Sequence, residues 1–246
     1  MGVDGGDVNG DGLQDYFLTN FSEETDTLFF GEGDGFFDDN TLRSGLGKLT
    51  FDPLGFGTRL FDYDLDGDLD IYVTRGHILD NLETLHPGTR LRYAQPDHLF
   101  QNDGKGRFTD ISESSGSWFK KKLVGRAVAT ADYDSDGDLD LFIVNSGQEC
   151  TLLENRAERK GSWIGIRLQG TPPCSRDAAG SLITLKTGAG GRRGEVRSTL
   201  SDMAAGDSRV ILSLDKGATK APPVEVRWSD GLRAVSYTHL PLPTKA

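Results

Sequence analysis

Asp132-Tyr133-Asp134-Ser135-Asp136-Gly137-Asp138-Leu139-Asp140, followed by Leu141-Phe142-Ile143-Val144, is the stretch that decides the fold. It has two relatives upstream. Asp62-Tyr63-Asp64-Leu65-Asp66-Gly67-Asp68-Leu69-Asp70 runs into Ile71-Tyr72-Val73, and Asp7-Val8-Asn9-Gly10-Asp11-Gly12-Leu13-Gln14-Asp15 runs into Tyr16-Phe17-Leu18. Each copy has the form D-x-[DN]-x-D-G-x-x-D and ends in a β-branched and aromatic run with the composition of a buried strand. Strand-like runs also lead into the second and third copies, at residues 58–61 and 127–130. Each acidic loop therefore joins two strands, and the chain is an internal repeat.

The spacing carries a chemistry. Oxygen ligands at positions 1, 3 and 5 converge when the chain curls around a hard cation, glycine at position 6 permits the sharp turn, and position 7 offers a backbone carbonyl. This is the first half of an EF-hand loop without the second. Position 12, where an EF-hand needs glutamate, holds Leu18, Val73 or Ile143. The aspartate at position 9 (Asp15, Asp70, Asp140) can close the shell instead. The expected ligand positions are Asp7, Asn9, Asp11, Leu13 and Asp15; Asp62, Asp64, Asp66, Asp68 and Asp70; and Asp132, Asp134, Asp136, Asp138 and Asp140. A flexible all-oxygen shell suits calcium better than magnesium, so up to three calcium ions are expected. The competing reading is a set of acidic turns that bind nothing, since Asp, Asn and Gly are ordinary turn formers.

A second feature repeats between the loops. Leu28-Phe29-Phe30-Gly31-Glu32-Gly33-Asp34-Gly35-Phe36-Phe37-Asp38 matches Leu99-Phe100-Gln101-Asn102-Asp103-Gly104-Lys105-Gly106-Arg107-Phe108-Thr109-Asp110, two short strands around a glycine turn. No helix follows either copy and the pattern recurs as a hairpin, which argues against a phosphate loop. Strand, acidic loop, strand and hairpin make a four-stranded unit, and such units in tandem are the blades of a β-propeller.

Composition agrees. Glycine accounts for 32 of 246 residues, without a collagen period, as in a turn-rich all-β chain. The net charge of −11 argues against nucleic acid as a partner. The three loops hold thirteen aspartates, and without them 27 basic residues face 25 acidic ones. The negative charge thus belongs to three sites rather than to a general coat. No apolar run approaches the ~20 residues of a membrane-spanning helix, so no membrane insertion is expected. The four histidines share no metal-ligand spacing, and neither H-E-x-x-H nor G-x-S-x-G occurs, so no catalytic activity is expected.

The acidic loops resemble the calcium loops of FG-GAP/VCBS repeats, as in integrin α-subunit propellers. Gly55-Phe56-Gly57-Thr58, Gly76-His77-Ile78, Tyr93-Ala94-Gln95-Pro96 and Val124-Gly125-Arg126 further resemble bacterial relatives of cartilage acidic protein. In those proteins FG-GAP blades precede an ASPIC/UnbV domain. That domain is resembled by Trp163-Ile164-Gly165-Ile166-Arg167-Leu168, Arg176-Asp177-Ala178-Ala179-Gly180 and Val224-Glu225-Val226-Arg227-Trp228-Ser229-Asp230-Gly231. The resemblance spans residues 1–231 and weakens over 198–213. It implies a secreted or surface-exposed calcium-binding protein with a binding or adhesive role, its partner a protein or a glycan.

The expected organisation is open propeller blades over 1–155, about two and a half of them with the first incomplete, a charged linker over 156–161, and a small β domain over 162–232. Alternation at 164–168, 182–185, 210–214 and 224–228 supplies that domain's strands, with Trp163 and Trp228 as core or interface anchors. Arg176-Asp177 has the look of a turn salt bridge, and Arg192-Arg193 of solvated charge. Residues 235–246 break the pattern and resemble the in-frame translation of a sequencing adapter, a non-native tail. Met1-Gly2-Val3-Asp4 enters a loop without a signal peptide, as in a fragment lacking its leader and upstream blades. An extracellular, cell-surface or periplasmic setting suits weak calcium sites. Cys150 and Cys174 are compatible with an oxidising compartment without demanding one, and their pairing stays open. The function expected is a non-catalytic, calcium-stabilised binding or adhesion module; the alternative is part of a calcium-dependent polysaccharide lyase.

Overall fold

The computed structural model describes residues 1–187 and 191–236. It is all-β, its two α-helices being single four-residue turns at Leu46–Leu49 and Leu82–Leu85. The first sheet is the meander β1 (Val3–Gly6), β2 (Asp15–Leu18), β3 (Thr27–Gly33) and β4 (Phe36–Asp39). The second repeats it with β5 (Gly55–Phe61), β6 (Asp70–Arg75), β7 (His98–Asn102) and β8 (Phe108–Asp110). The third has three strands, β9 (Gly125–Ala131), β10 (Asp140–Asn145) and β11 (Thr151–Leu153). All pairings are antiparallel, none of the sheets closes on itself, and the acidic loops link the first and second strands of each.

The structure changes which blade is the short one. The first sheet is complete, because residues 3–6 supply an inner strand that no apolar run announces; the third is the one a strand short. The innermost strands β1, β5 and β9 lie side by side, as around a propeller axis.

Burial follows the period of two. Phe17 and Leu28 of the first sheet meet Leu60, Ile71, Val73 and Phe100 of the second in one core. The opposite face of the second sheet, Phe61, Tyr72 and Leu99, meets Val128, Leu141 and Ile143 of the third in another. Tyr72 and Leu99 pair directly across β6 and β7, as Phe17 and Leu28 do across β2 and β3. Phe142 and Leu152 are the same pair in the third sheet, and there they are 46% and 47% exposed.

Beyond the linker, β12 (Ser162–Ile166) pairs with β15 (Val210–Leu214), and a four-stranded sheet has the order β14 (Arg192–Glu195), β13 (Leu182–Leu185), β16 (Val224–Arg227), β17 (Arg233–Ser236). They share a core of Ile164, Ile183, Leu185, Val196, Leu212 and Leu214. The four alternating segments of the sequence are all strands here, and β14 and β17 are additions whose charged residues hide the alternation. Val235 and Ser236, placed by the sequence in the tail, pair with Glu225 and Val224; residues 237–246 lie outside the described residues. Residues 198–209, where the resemblance weakens, hold no strand. They run beside the inner strands instead, with Ser201 Oγ accepting the Thr58 N–H at 3.1 Å and Arg209 reaching the Asp132 carbonyl at 2.7 Å.

Candidate metal centre

The three loops share one backbone. Position 6 is left-handed in each, at Gly12 (φ 88°), Gly67 (φ 103°) and Gly137 (φ 98°). Position 4 is left-handed as well, at Gly10, Leu65 (φ 60°) and Ser135 (φ 61°). A non-glycine residue there costs of order 1 kcal/mol, strain of the kind held at functional sites. In each loop the aspartate at position 9 ties the turn to the strand beyond. Asp15 accepts the N–H groups of Val8 and Gly31, Asp70 those of Tyr63 and Asn102, and Asp140 those of Tyr133 and Asn155.

Two loops bring carboxylates together. In the second, oxygens of Asp62, Asp64 and Asp70 all lie within 4.8 Å of one another; in the third, those of Asp132, Asp134 and Asp136 do. That span is twice the ~2.4 Å of a calcium–oxygen bond, so one cation can touch all three. Asp64 Oδ1 and Asp132 Oδ2 are buried and accept no hydrogen bond. Arg209 Nη1 lies 3.9 Å from Asp132 Oδ2 without donating a hydrogen bond to it. A buried carboxylate oxygen that accepts no hydrogen bond is costly, and a cation in the loop removes that cost. The donor set is all oxygen, as a hard divalent cation requires.

The first loop differs. Asp7, Asp11 and Asp15 do not form such a group among the described residues. All six of their carboxylate oxygens accept N–H groups, from Gly10 and Gly12, Leu13 and Asn9, and Gly31 and Val8. Asn9 Oδ1 accepts the Asp11 N–H, and Leu13 is partly exposed.

The remaining positions face other partners. Asp66 meets Lys160, Asp138 meets Arg159, and Asp68 lies against Gly104 of the neighbouring hairpin. Burial, more than repulsion between the aspartates, pushes carboxyls upward: Asp70 to about 9, Asp62 to about 6 and Asp138 to about 6. Charge repulsion among neighbouring aspartates adds to this but is the smaller cause.

Several residues around the loops carry no sequence motif. Asn102 Nδ2 donates to the carbonyls of Val8 (2.7 Å) and Leu69 (3.0 Å), bracing the second loop on the first. Asn155 Nδ2 repeats this, donating to Tyr63 (2.7 Å) and Leu139 (3.3 Å) and so bracing the third loop on the second. The repeat could have revealed the pair, since Leu99-Phe100-Gln101-Asn102 and Leu152-Leu153-Glu154-Asn155 align with Leu28-Phe29-Phe30-Gly31, each at the second strand after its loop. The C-terminal sheets also reach the loops. Arg193 donates to the Gly12 carbonyl, the Arg192 guanidinium lies against Gly67, and the Trp163 ring covers Gly137. Arg192 and Arg193 are therefore not simply solvated: β14 aims them at the loops. Trp163 is an interface anchor, and Arg176–Asp177 is an exposed turn pair at 3.5 Å. Cys150 and Cys174 are free thiols.

Among the described residues no helix is long and apolar enough to cross a membrane. No curated protein matches the chain. The model of the FG-GAP-like repeat matches residues 7–73 and 90–143, which take in all three acidic loops and most of each strand that follows them. The chain carries FG-GAP-like repeats, laid out as open, propeller-like sheets.

Proposed function

We propose that this chain is a calcium-dependent binding or adhesion module without catalytic activity, working outside the cell, on its surface or in the periplasm. The observation that carries the reading is the convergence of Asp62, Asp64 and Asp70, and of Asp132, Asp134 and Asp136, each set containing a buried oxygen with no hydrogen bond. When bound, calcium supplies charge neutralisation and ties the loop's aspartates to one point. The chain's own residues do the rest: Asp70 and Asp140 anchor each loop to the next strand, and Asn102 and Asn155 fix neighbouring loops to each other. Calcium is favoured over magnesium because these ligands are irregular in number and spacing, which the larger ion tolerates. Residues 162–232 are assigned to an ASPIC/UnbV-like unit on the motifs quoted above.

The partner is a protein or a glycan. A polar cleft of about 360 Å³ between the first sheet and the C-terminal sheet offers one place for it, with the half-exposed ring of Tyr16 beside Gln14, Glu195 and Arg227. An aromatic face next to amide, acid and guanidinium groups suits a sugar ring. Calorimetric titration with calcium and with magnesium tests the metal: two calcium sites with weaker magnesium binding are expected, and the absence of both sinks the reading. A glycan panel scored for binding and for cleavage tests the rest. Calcium-dependent binding that Tyr16→Ala abolishes supports the module, whereas turnover of any glycan favours the lyase.

A further inference from the structure

Two consecutive linker residues sit in the two converging loops. Lys160 Nζ lies 2.7 Å from Asp64 Oδ2 and 2.9 Å from Asp66 Oδ2. Its backbone N–H donates to the Asp64 carbonyl at 2.8 Å. Arg159 Nη2 reaches Asp138 Oδ2 at 2.8 Å and also contacts Asp136. Asp64 and Asp136 belong to the two carboxylate sets themselves. The same short segment is fitted closely to the loops on either side of these contacts. At Gly161 a Cβ would collide with the carbonyl oxygens of Leu65 and Leu214, and two residues on, Trp163 covers Gly137. Arg156, in the same linker, is different: it pairs with exposed Glu154, outside the loops.

An ammonium or guanidinium group cannot ligate a metal, and its positive charge opposes a cation on the same oxygens. We propose that Lys160 and Arg159 are built-in competitors that set the cation affinity of the second and third loops. Without metal they neutralise Asp64, Asp66, Asp136 and Asp138 and hold the linker down. A divalent cation, with twice the charge and direct ligation, displaces both side chains from the carboxylates and leaves them free in solvent. The proposal rests on the reading that these loops bind metal.

The test is calorimetric titration with calcium chloride of the wild-type chain, Lys160→Gln, Arg159→Gln, the double variant and Arg156→Gln as a control for charge alone. Removing a unit charge a few ångströms from a divalent site is expected to tighten one site in each single variant by about tenfold. Both sites tighten in the double variant, while Arg156→Gln stays within about twofold, as a solvent-screened charge already paired with Glu154 should. Unchanged or weaker affinity in Lys160→Gln and Arg159→Gln, with the wild type binding normally, overturns the competition alone. No calcium binding by any variant overturns the metal reading itself. Trypsin gives an independent readout, since it cleaves after Arg156, Arg159 and Lys160. Calcium is expected to speed cleavage after Arg159 and Lys160 relative to EDTA and to leave cleavage after Arg156 unchanged. Equal or slower cleavage at both sites in calcium contradicts displacement.

Discussion

Asn102→Ala is the substitution whose cost can be worked most directly from the geometry. The side chain is 5% exposed and makes four hydrogen bonds. Its Nδ2 donates to the Val8 and Leu69 carbonyls, and its Oδ1 accepts the N–H groups of Gly104 and Gly106, both at 3.1 Å. Alanine leaves all four backbone groups without that partner. At ~1 kcal/mol net for each bond, with water reaching the more open Gly104, the loss is about 3 kcal/mol. For a chain of this size that lowers Tm by about 6–12 °C. Asn155→Ala removes fewer bonds at a more exposed site, two donated and one accepted from Ala157, so about half that effect is expected. The assay is thermal unfolding followed by circular dichroism at fixed calcium. If Asn102→Ala melts within about 2 °C of wild type, no more than one bond's worth, the four-bond brace between the first two loops is not there and the argument fails.

Other outcomes follow from the same interior. Asp26 and Arg75 form an ion pair at 2.7 Å with neither side chain exposed, so Asp26→Ala strands a buried guanidinium at a cost of about 3–5 kcal/mol; a urea midpoint implying less than ~1 kcal/mol contradicts this. Burial holds Asp62 and Asp70 above the ordinary carboxylate range, to about 6 and about 9, so in EDTA the folded chain keeps protons that the unfolded chain sheds near pH 4. Their contribution is fully present below that pH and is lost as pH rises through 6 and on through 9. Tm in EDTA is therefore higher at pH 5.5 than at pH 8, Asp70→Asn flattens the upper part, and a higher Tm at pH 8 refutes it. The exposed Phe142–Leu152 pair occupies the register that is buried in the other two sheets, so the chain self-associates and Phe142→Glu weakens the association. A monodisperse wild-type monomer in light scattering is the contrary result.

The acidic repeat made the fold legible. Its glycine and its alternate aspartates impose one loop geometry three times, and the apolar runs after it can only be buried strands. The hairpins at 28–38 and 99–110 were equally plain, because their glycine turns recur at matching places. What the sequence hid has a common cause. β1 consists of Val3, Asp4, Gly5 and Gly6, and β14 of Arg192, Arg193, Gly194 and Glu195, so neither has the alternation that marks a strand. Their placement comes from partners distant in sequence, as when Arg59 and Arg197 close on buried Asp4.

The candidate site was legible as a set of positions and not as a set of geometries. Spacing alone treats the three loops alike, yet only the second and third bring carboxylates to one point. In the first, Asn9 and Asp11 hydrogen-bond each other, and the oxygens of the turn are satisfied by its own N–H groups and that of Gly31. Lys160 and Arg159 look like ordinary linker charge in the sequence; only the fold carries them 94 and 23 residues back to Asp66 and Asp136. Left-handed Leu65 and Ser135 were invisible too, since neither residue advertises that conformation.

The central claim is that a divalent cation in the second and third loops holds the repeat together, and a thermal melt with and without chelator tests it most directly. At a calcium concentration tenfold above Kd each site contributes about 1.4 kcal/mol, so two sites add about 3 kcal/mol. That raises Tm by about 6–12 °C over the same sample in EDTA. Asp64→Ala and Asp132→Ala each remove about half of the rise, because each empties one loop. A melting temperature indifferent to calcium, to EDTA and to both substitutions would contradict the account.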